Sequence, residues 1–230
     1  MKTKKILYSS RYEPVKKIKP SKSFIPEWYK KIKAFNKNNI EFHPKLGNRP
    51  LVTVKSCVPF LDGIMTGYTV ELWTDINISN DGEKTYRWAH EPQPMESRIY
   101  NEHNSQIPVP AGYSDVHYTW LNPYVIKFPP GYSAIIMHPS NRFDLPFHTL
   151  TGVVDDEIIV GNLPFFLLDG FEGLIEKGTP IFQIIPFKRE KWSAEWDDST
   201  QELEKKHDTG LQSFFNDYYR NNVWSRKEFN

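Results

Sequence analysis

Phe128-Pro129-Pro130-Gly131-Tyr132-Ser133-Ala134-Ile135-Ile136 reads as a turn that feeds a strand. The prolines fix φ and the glycine releases it, so the chain reverses before Tyr132. From Tyr118 onward such signals come densely. Runs near 117–120, 124–128, 132–138, 147–153, 157–160, 163–168 and 180–187 are rich in β-branched and aromatic residues. Pro-Pro-Gly, Asp-Gly and Lys-Gly-Thr-Pro turns separate them. Short strands at this spacing predict a mainly β body, an antiparallel barrel or sandwich. Gly178 is expected at a positive-φ corner before the closing strand, and Gly152 at a close backbone approach before Asp155.

Upstream of this stretch, 51–56 and 68–76 alternate like strands, with Cys57 to Gly63 read as irregular between them. Asn80-Asp81-Gly82 predicts a hairpin into 84–88, and 91–112 reads as a long excursion. Pro26 with Phe24, Trp28, Ile32 and Phe35 at helical spacing predicts a short amphipathic helix over 23–35. Leu211, Phe214, Phe215, Tyr218, Tyr219 and Val223 mark the aromatic face of a C-terminal helix over 202–223. The organisation expected is therefore a basic arm with a short helix at 1–50, a β domain at 51–190 whose core is about 118–190, and the helical segment 191–230.

The net charge of +1 hides a split: residues 1–40 carry +10 and the remaining 190 carry −9. A lysine-rich arm can hold an anionic surface or an acidic neighbouring subunit, or rest on its own domain. Arg11 is the one arginine in it, too few for reading base edges. No apolar run approaches the ~20 residues of a membrane-spanning helix. Met1 to Tyr8 lacks the apolar stretch of a secretion signal. The single cysteine, Cys57, excludes a disulfide within the chain and a cysteine-cluster zinc site.

Four motifs carry a resemblance: Pro129-Pro130-Gly131-Tyr132, Pro139-Ser140-Asn141, Gly152-Val153-Val154-Asp155, and Ile175-Glu176-Lys177-Gly178-Thr179-Pro180-Ile181-Phe182-Gln183. Their order and spacing over about 124–187 resemble the trimeric dUTPase and dCTP deaminase superfamily. That resemblance implies a β-clip core and a trimer, and it matches Asp155 to the carboxylate that orients the attacking water. The sequence departs where catalysis would need it. Asp156-Glu157-Ile158 stands where the family has its sugar-stacking tyrosine, and Pro139-Ser140-Asn141-Arg142 replaces the arginine-serine phosphate loop. An aromatic helix replaces the glycine-rich C-terminal arm. A second likeness spans most of the chain through Ile25-Pro26, Trp28-Tyr29, Trp120, Asn122-Pro123-Tyr124 and Asn162-Leu163-Pro164-Phe165-Phe166. It resembles a family of tailed phages and, more distantly, bacteria; it implies a phage or prophage origin, host cytoplasm or virion as location, and no activity.

The candidate ligand-binding residues are Asn141, Arg142, Asp144, His148, Asp155 and Asp156. Arg142 is a natural fork for a phosphate or carboxylate, its alternative being an internal pair with Asp144 or Asp155. Asp155 and Asp156 could act as acid and base or make turn hydrogen bonds. His138, Asp144 and His148 are the set nearest to a metal site, but no His-x-His or His-Glu-x-x-His pair exists, so no metal or cofactor is expected. Three readings follow. The first is a non-catalytic β-clip protein that binds a small anionic or nucleotide-like ligand. The second is a virion structural or assembly protein that uses its arm and C-terminal helix for subunit contacts. The third is a diverged nucleotide hydrolase. A homo-oligomer is expected in each.

Overall fold

At Gly131 φ is +78°, and at Gly178 +90°, so both predicted corners take the conformation that L side chains avoid. The strands they launch, Tyr132–Met137 and Pro180–Lys188, pair antiparallel from Tyr132↔Lys188 to Met137↔Gln183. The computed structural model describes residues 4–15, 17–43, 47–80, 84–98, 107–155, 161–214 and 218–229. The chain divides into two units, Met1–Phe24 with Thr66–Arg189, and Ile25–Met65 with Glu190–Asn230.

The larger unit is built of antiparallel sheets. One orders Gly152–Val154, Tyr132–Met137, Pro180–Lys188, Tyr68–Glu71 and Lys19–Pro20. A second orders Phe147–Thr149, Leu163–Leu168, Tyr113–Trp120 and Met95–Ser97. A third pairs Gly173–Ile175 and Lys84–Trp88 on either side of Ile76–Asn80, and Leu7–Ser9 pairs with Val125–Lys127. Val70, Ala134, Ile136 and Ile184 from the first sheet share one core with Tyr118, Trp120, Phe147 and Phe165 from the second. Trp120 stacks on Phe165 at 3.8 Å between ring centroids and meets Phe147 edge-on. Its indole N–H donates to Thr149 Oγ1 (3.0 Å), whose hydroxyl donates to the Ile181 carbonyl (2.7 Å), so the polar edge of the largest core side chain is satisfied.

The mainly β reading holds, and several boundaries move. The predicted strand 147–153 is two, broken at 150–151, and 68–76 breaks at 72–75. There Leu72 exchanges backbone hydrogen bonds with the Gly178–Thr179 corner instead of continuing the ladder. Cys57 to Gly63 is not irregular: Val58–Met65 is a helix, with Pro59 in its first turn, where a missing N–H costs nothing. A Cβ at Gly152 would meet nothing within 4 Å, so the expected close approach is absent. Ile76–Asn80 and Lys84–Trp88 form the predicted hairpin, its turn at 81–83 lying outside the described residues, as does the predicted strand at 157–160.

The basic arm does not stand as one segment with the short helix. Residues 4–15 and 17–24 belong with the β body: Lys19 pairs with Glu71, a carboxylate 8% exposed, at 2.7 Å, and Tyr8 meets Tyr124 edge-on. The predicted helix over 23–35 is shorter, a 3-10 turn at Ser21–Phe24 and an α-helix at Glu27–Lys31. Phe35 already starts a hairpin strand, Phe35–His43, which pairs with Gly47–Val52. In this smaller unit Tyr29 stacks on Phe60 (5.9 Å), and Asp62 accepts from the Trp224 indole (2.9 Å) and the Lys227 ammonium. The C-terminal helix runs Thr200–Phe214, with a short Tyr218–Asn222 turn after it. No helix among the described residues is long and apolar enough to cross a membrane.

Candidate functional site

Where the Tyr132–Met137 strand ends, His138-Pro139-Ser140-Asn141-Arg142 turns the chain toward Phe147–Thr149. The Arg142 N–H bonds back to the Pro139 carbonyl (3.2 Å), and Asn141 takes φ +58°, which an asparagine tolerates better than most residues. Beneath the turn lies Gln183, 1% exposed. Its Oε1 accepts the Ser140 N–H (2.8 Å) and its Nε2 donates to the Thr66 carbonyl. A polar side chain inside the run Ile181-Phe182-Gln183-Ile184-Ile185 thus holds the turn by its backbone. That interruption was the signal for it in the sequence.

The turn walls a cleft of about 310 Å³, closed on its other sides by Tyr113, Phe147, His148 and Leu168. Tyr113 opens the strand Tyr113–Trp120 and lies opposite Leu168, the last residue of its partner strand, so two strand ends deliver these side chains to one place. The His148 ring stacks on His138 at 4.6 Å and meets Tyr113 edge-on at 6.3 Å. Phe143, on the rim, is 78% exposed.

The two histidines differ. His138 Nδ1 accepts the Thr149 N–H (3.3 Å), so the proton of the neutral ring sits on Nε2, which donates to the Arg142 carbonyl (3.2 Å). Burial pushes its pKa down to about 4, so it is neutral near pH 7. With both nitrogens committed, His138 serves neither as a metal ligand nor as a base. Burial also lowers the pKa of His148, the neutral ring that faces the cleft from Phe147–Thr149. Among the described residues no group of three or more His, Cys, Asp or Glu gathers as a metal site.

Arg142 makes the internal pair with Asp144: Nε donates to Oδ1 and Nη2 to Oδ2, both at 2.8 Å, with the arginine side chain 13% exposed. A guanidinium has five N–H groups, so this fork uses two and keeps the Nη1 edge for other acceptors. The structure therefore gathers Asn141, Arg142, Asp144 and His148. It does not bring Asp155 to them. Val154 pairs with Ala134, placing Asp155 beside Ser133, at the opposite end of the strand that His138 follows. Five residues of strand separate the two ends, ~16 Å at the usual rise. Asp155 accepts the Ser133 hydroxyl (2.8 Å), stands 3.7 Å from Arg189 Nη1, and is 66% exposed. Of the two internal pairs open to Arg142, the one with Asp144 forms and the one with Asp155 does not; Asp156 lies outside the described residues. Sequence reading missed Tyr113, Phe143, Leu168 and Gln183, which are brought in by register and by burial. No family model matches the chain, and no curated protein matches it.

Proposed function

We propose that the chain is a non-catalytic β-clip protein of the dUTPase-like kind that binds a small nucleotide-like ligand in the cleft at 138–148. The observation that carries this reading is the convergence of aromatic and polar groups on one concave space. Tyr113, Phe143 and His148 offer ring surfaces, and the Nη1 edge of Arg142 offers donors for an anionic group. The volume sits at the lower end of ordinary small-molecule sites. Because Asp144 neutralises Arg142 and both histidines are neutral near pH 7, the cleft holds little net charge. A bare phosphate gains little there, and a ligand that also stacks a ring gains more. In support of a β-clip are the short antiparallel strands and the glycine corners at 131 and 178.

A hydrolase with Asp155 as its base finds less support, since that carboxylate is tied to Ser133 and lies away from the cleft. The virion-component reading draws on the exposed Ile40 and Phe42 of the hairpin in the smaller unit. Mass spectrometry of purified particles would decide for it if the chain were present in many copies.

The test of the ligand reading is a thermal-shift panel of nucleosides, nucleoside mono- and triphosphates, ribose 5-phosphate and pyrophosphate. A ligand at about 100 times its Kd adds ~2.7 kcal/mol, a rise of roughly 5–10 °C for a chain of this size. The expected result is such a rise with a nucleotide, lost in Arg142→Ala. No shift with any member of the panel would overturn the reading.

A further inference from the structure

Trp192 and Trp196 are each 86% exposed, on a stretch without regular structure between the last strand and the C-terminal helix. A tryptophan offers ~150–250 Å² of surface to bury, and two left in water four residues apart are a feature that folding of a single chain does not explain. The stretch Trp192-Ser193-Ala194-Glu195-Trp196-Asp197-Asp198 carries three carboxylates and no basic residue. It is also locally ordered. The Trp196 indole N–H donates to Asp198 Oδ1 (2.7 Å), and Asp197 accepts both the N–H and the hydroxyl of Ser199.

The same unit holds a surface of the opposite character. Ile32, Phe35 and Thr53, with Lys33 and Lys37, line a groove of about 450 Å³. Its shape comes from an irregular hairpin. The register passes from Asn36↔Leu51 to Ile40↔Pro50, so 37–39 bulge out of the ladder. The Asn36 side chain caps that bulge by accepting the Asn38 N–H (3.1 Å). Phe35, at the base of the bulge, is 44% exposed, and both lysines are exposed. An apolar groove with two ammonium groups fits an aromatic segment with three carboxylates, in hydrophobic matching and in sign of charge.

Within one chain the two surfaces are not engaged, since both tryptophans stand in solvent. We propose that they meet between copies: the 192–198 segment of one chain seats its indoles in the 32–37 groove of a second, with Glu195, Asp197 and Asp198 facing Lys33 and Lys37. Reciprocal exchange closes a two-fold pair, and cyclic exchange closes a ring of three with the same contact. This contact does not depend on the ligand cleft.

Light scattering on the full chain after size exclusion tests it. The expected mass is two or three times 27.0 kDa, falling to a single chain in Trp192→Ala/Trp196→Ala. A purely surface variant guards against damage to the fold: Lys33→Glu/Lys37→Glu should weaken association at least tenfold, and adding Asp197→Lys/Asp198→Lys should restore it. Higher salt should weaken the wild-type contact. A wild type that is one chain at every concentration overturns the proposal, whether or not its tryptophan emission shows the indoles docked within the same chain. An oligomer that survives both sets of substitutions overturns it as well, because association then runs through another surface.

Discussion

In the larger unit Trp120, Phe147 and Phe165 are at most 2% exposed and strands of all three larger sheets contribute to one apolar cluster, whereas in the smaller unit Phe35, Ile40, Phe42, Trp192 and Trp196 range from 44% to 86% exposed. The two differ in what their backbone can bury. Sheets stacked over a shared core cover both partners' inner faces. A lone hairpin and short helices have area enough to cover Tyr29, 2% exposed, but not the aromatic residues of the hairpin or of 192–196. The contrast separates a scaffold that fixes a cleft from a surface whose exposed residues suit another copy.

The largest effect that can break this contrast is a deletion in the shared core. Trp120→Ala removes the ring stacked at 3.8 Å on Phe165 and leaves the Thr149 hydroxyl short of a partner. It should cost about 3–5 kcal/mol, as large aromatic deletions in closed cores do, measured by urea unfolding. A cost under ~1 kcal/mol would show that the body is no better packed than the hairpin.

The same contrast explains what could be read from the residues. Strands at 163–168 and 180–187 were legible because Pro-Gly, Asp-Gly and Lys-Gly punctuation bounds β-branched and aromatic runs whose fate is local. The Val58–Met65 helix was not, since Pro59 and Gly63 read as breakers until the first-turn position of the proline is known. In the cleft, Arg142, Asp144 and His148 were legible as chemistry carried by one short stretch of chain. Tyr113 and Leu168 arrive by strand register, and Asp155 leaves by it, and a one-dimensional pattern does not fix register. The basic arm divides for a related reason: Lys19 finds Glu71 within the β body, while Lys33 and Lys37 stand exposed in the smaller unit.

An intermediate effect concerns acid. His138 has its pKa moved from 6.5 to about 4 by burial, so between those values the unfolded chain binds the proton that the folded chain refuses. The stability tied to the neutral ring is full above pH ~6.5, is lost as pH falls toward 4, and is flat below that. Its size is up to ~3 kcal/mol on the scale of 1.36 kcal/mol per pKa unit. His117 and His148 are shifted the same way by burial and add to the slope. Melting temperatures from pH 7 to 4, compared with His138→Gln, should show a steeper fall for the wild type, because carboxylates common to both cancel. Parallel profiles would mean that the ring under the cleft is solvated.

The smallest effect is expected where an apolar side chain already stands in water. Phe42 is 74% exposed on the hairpin, against 0% for Phe165 in the body. Phe42→Ser removes little buried surface and opens no cavity, so unfolding free energy should change by less than ~0.5 kcal/mol, the usual range for surface positions. Measured in dilute solution, where chains are single, that near-zero value sets a baseline for the hairpin. A loss of 2 kcal/mol or more there would mean that Phe42 is buried in the folded chain, and the contrast between the packed core and the open hairpin would fail at the hairpin's own phenylalanine.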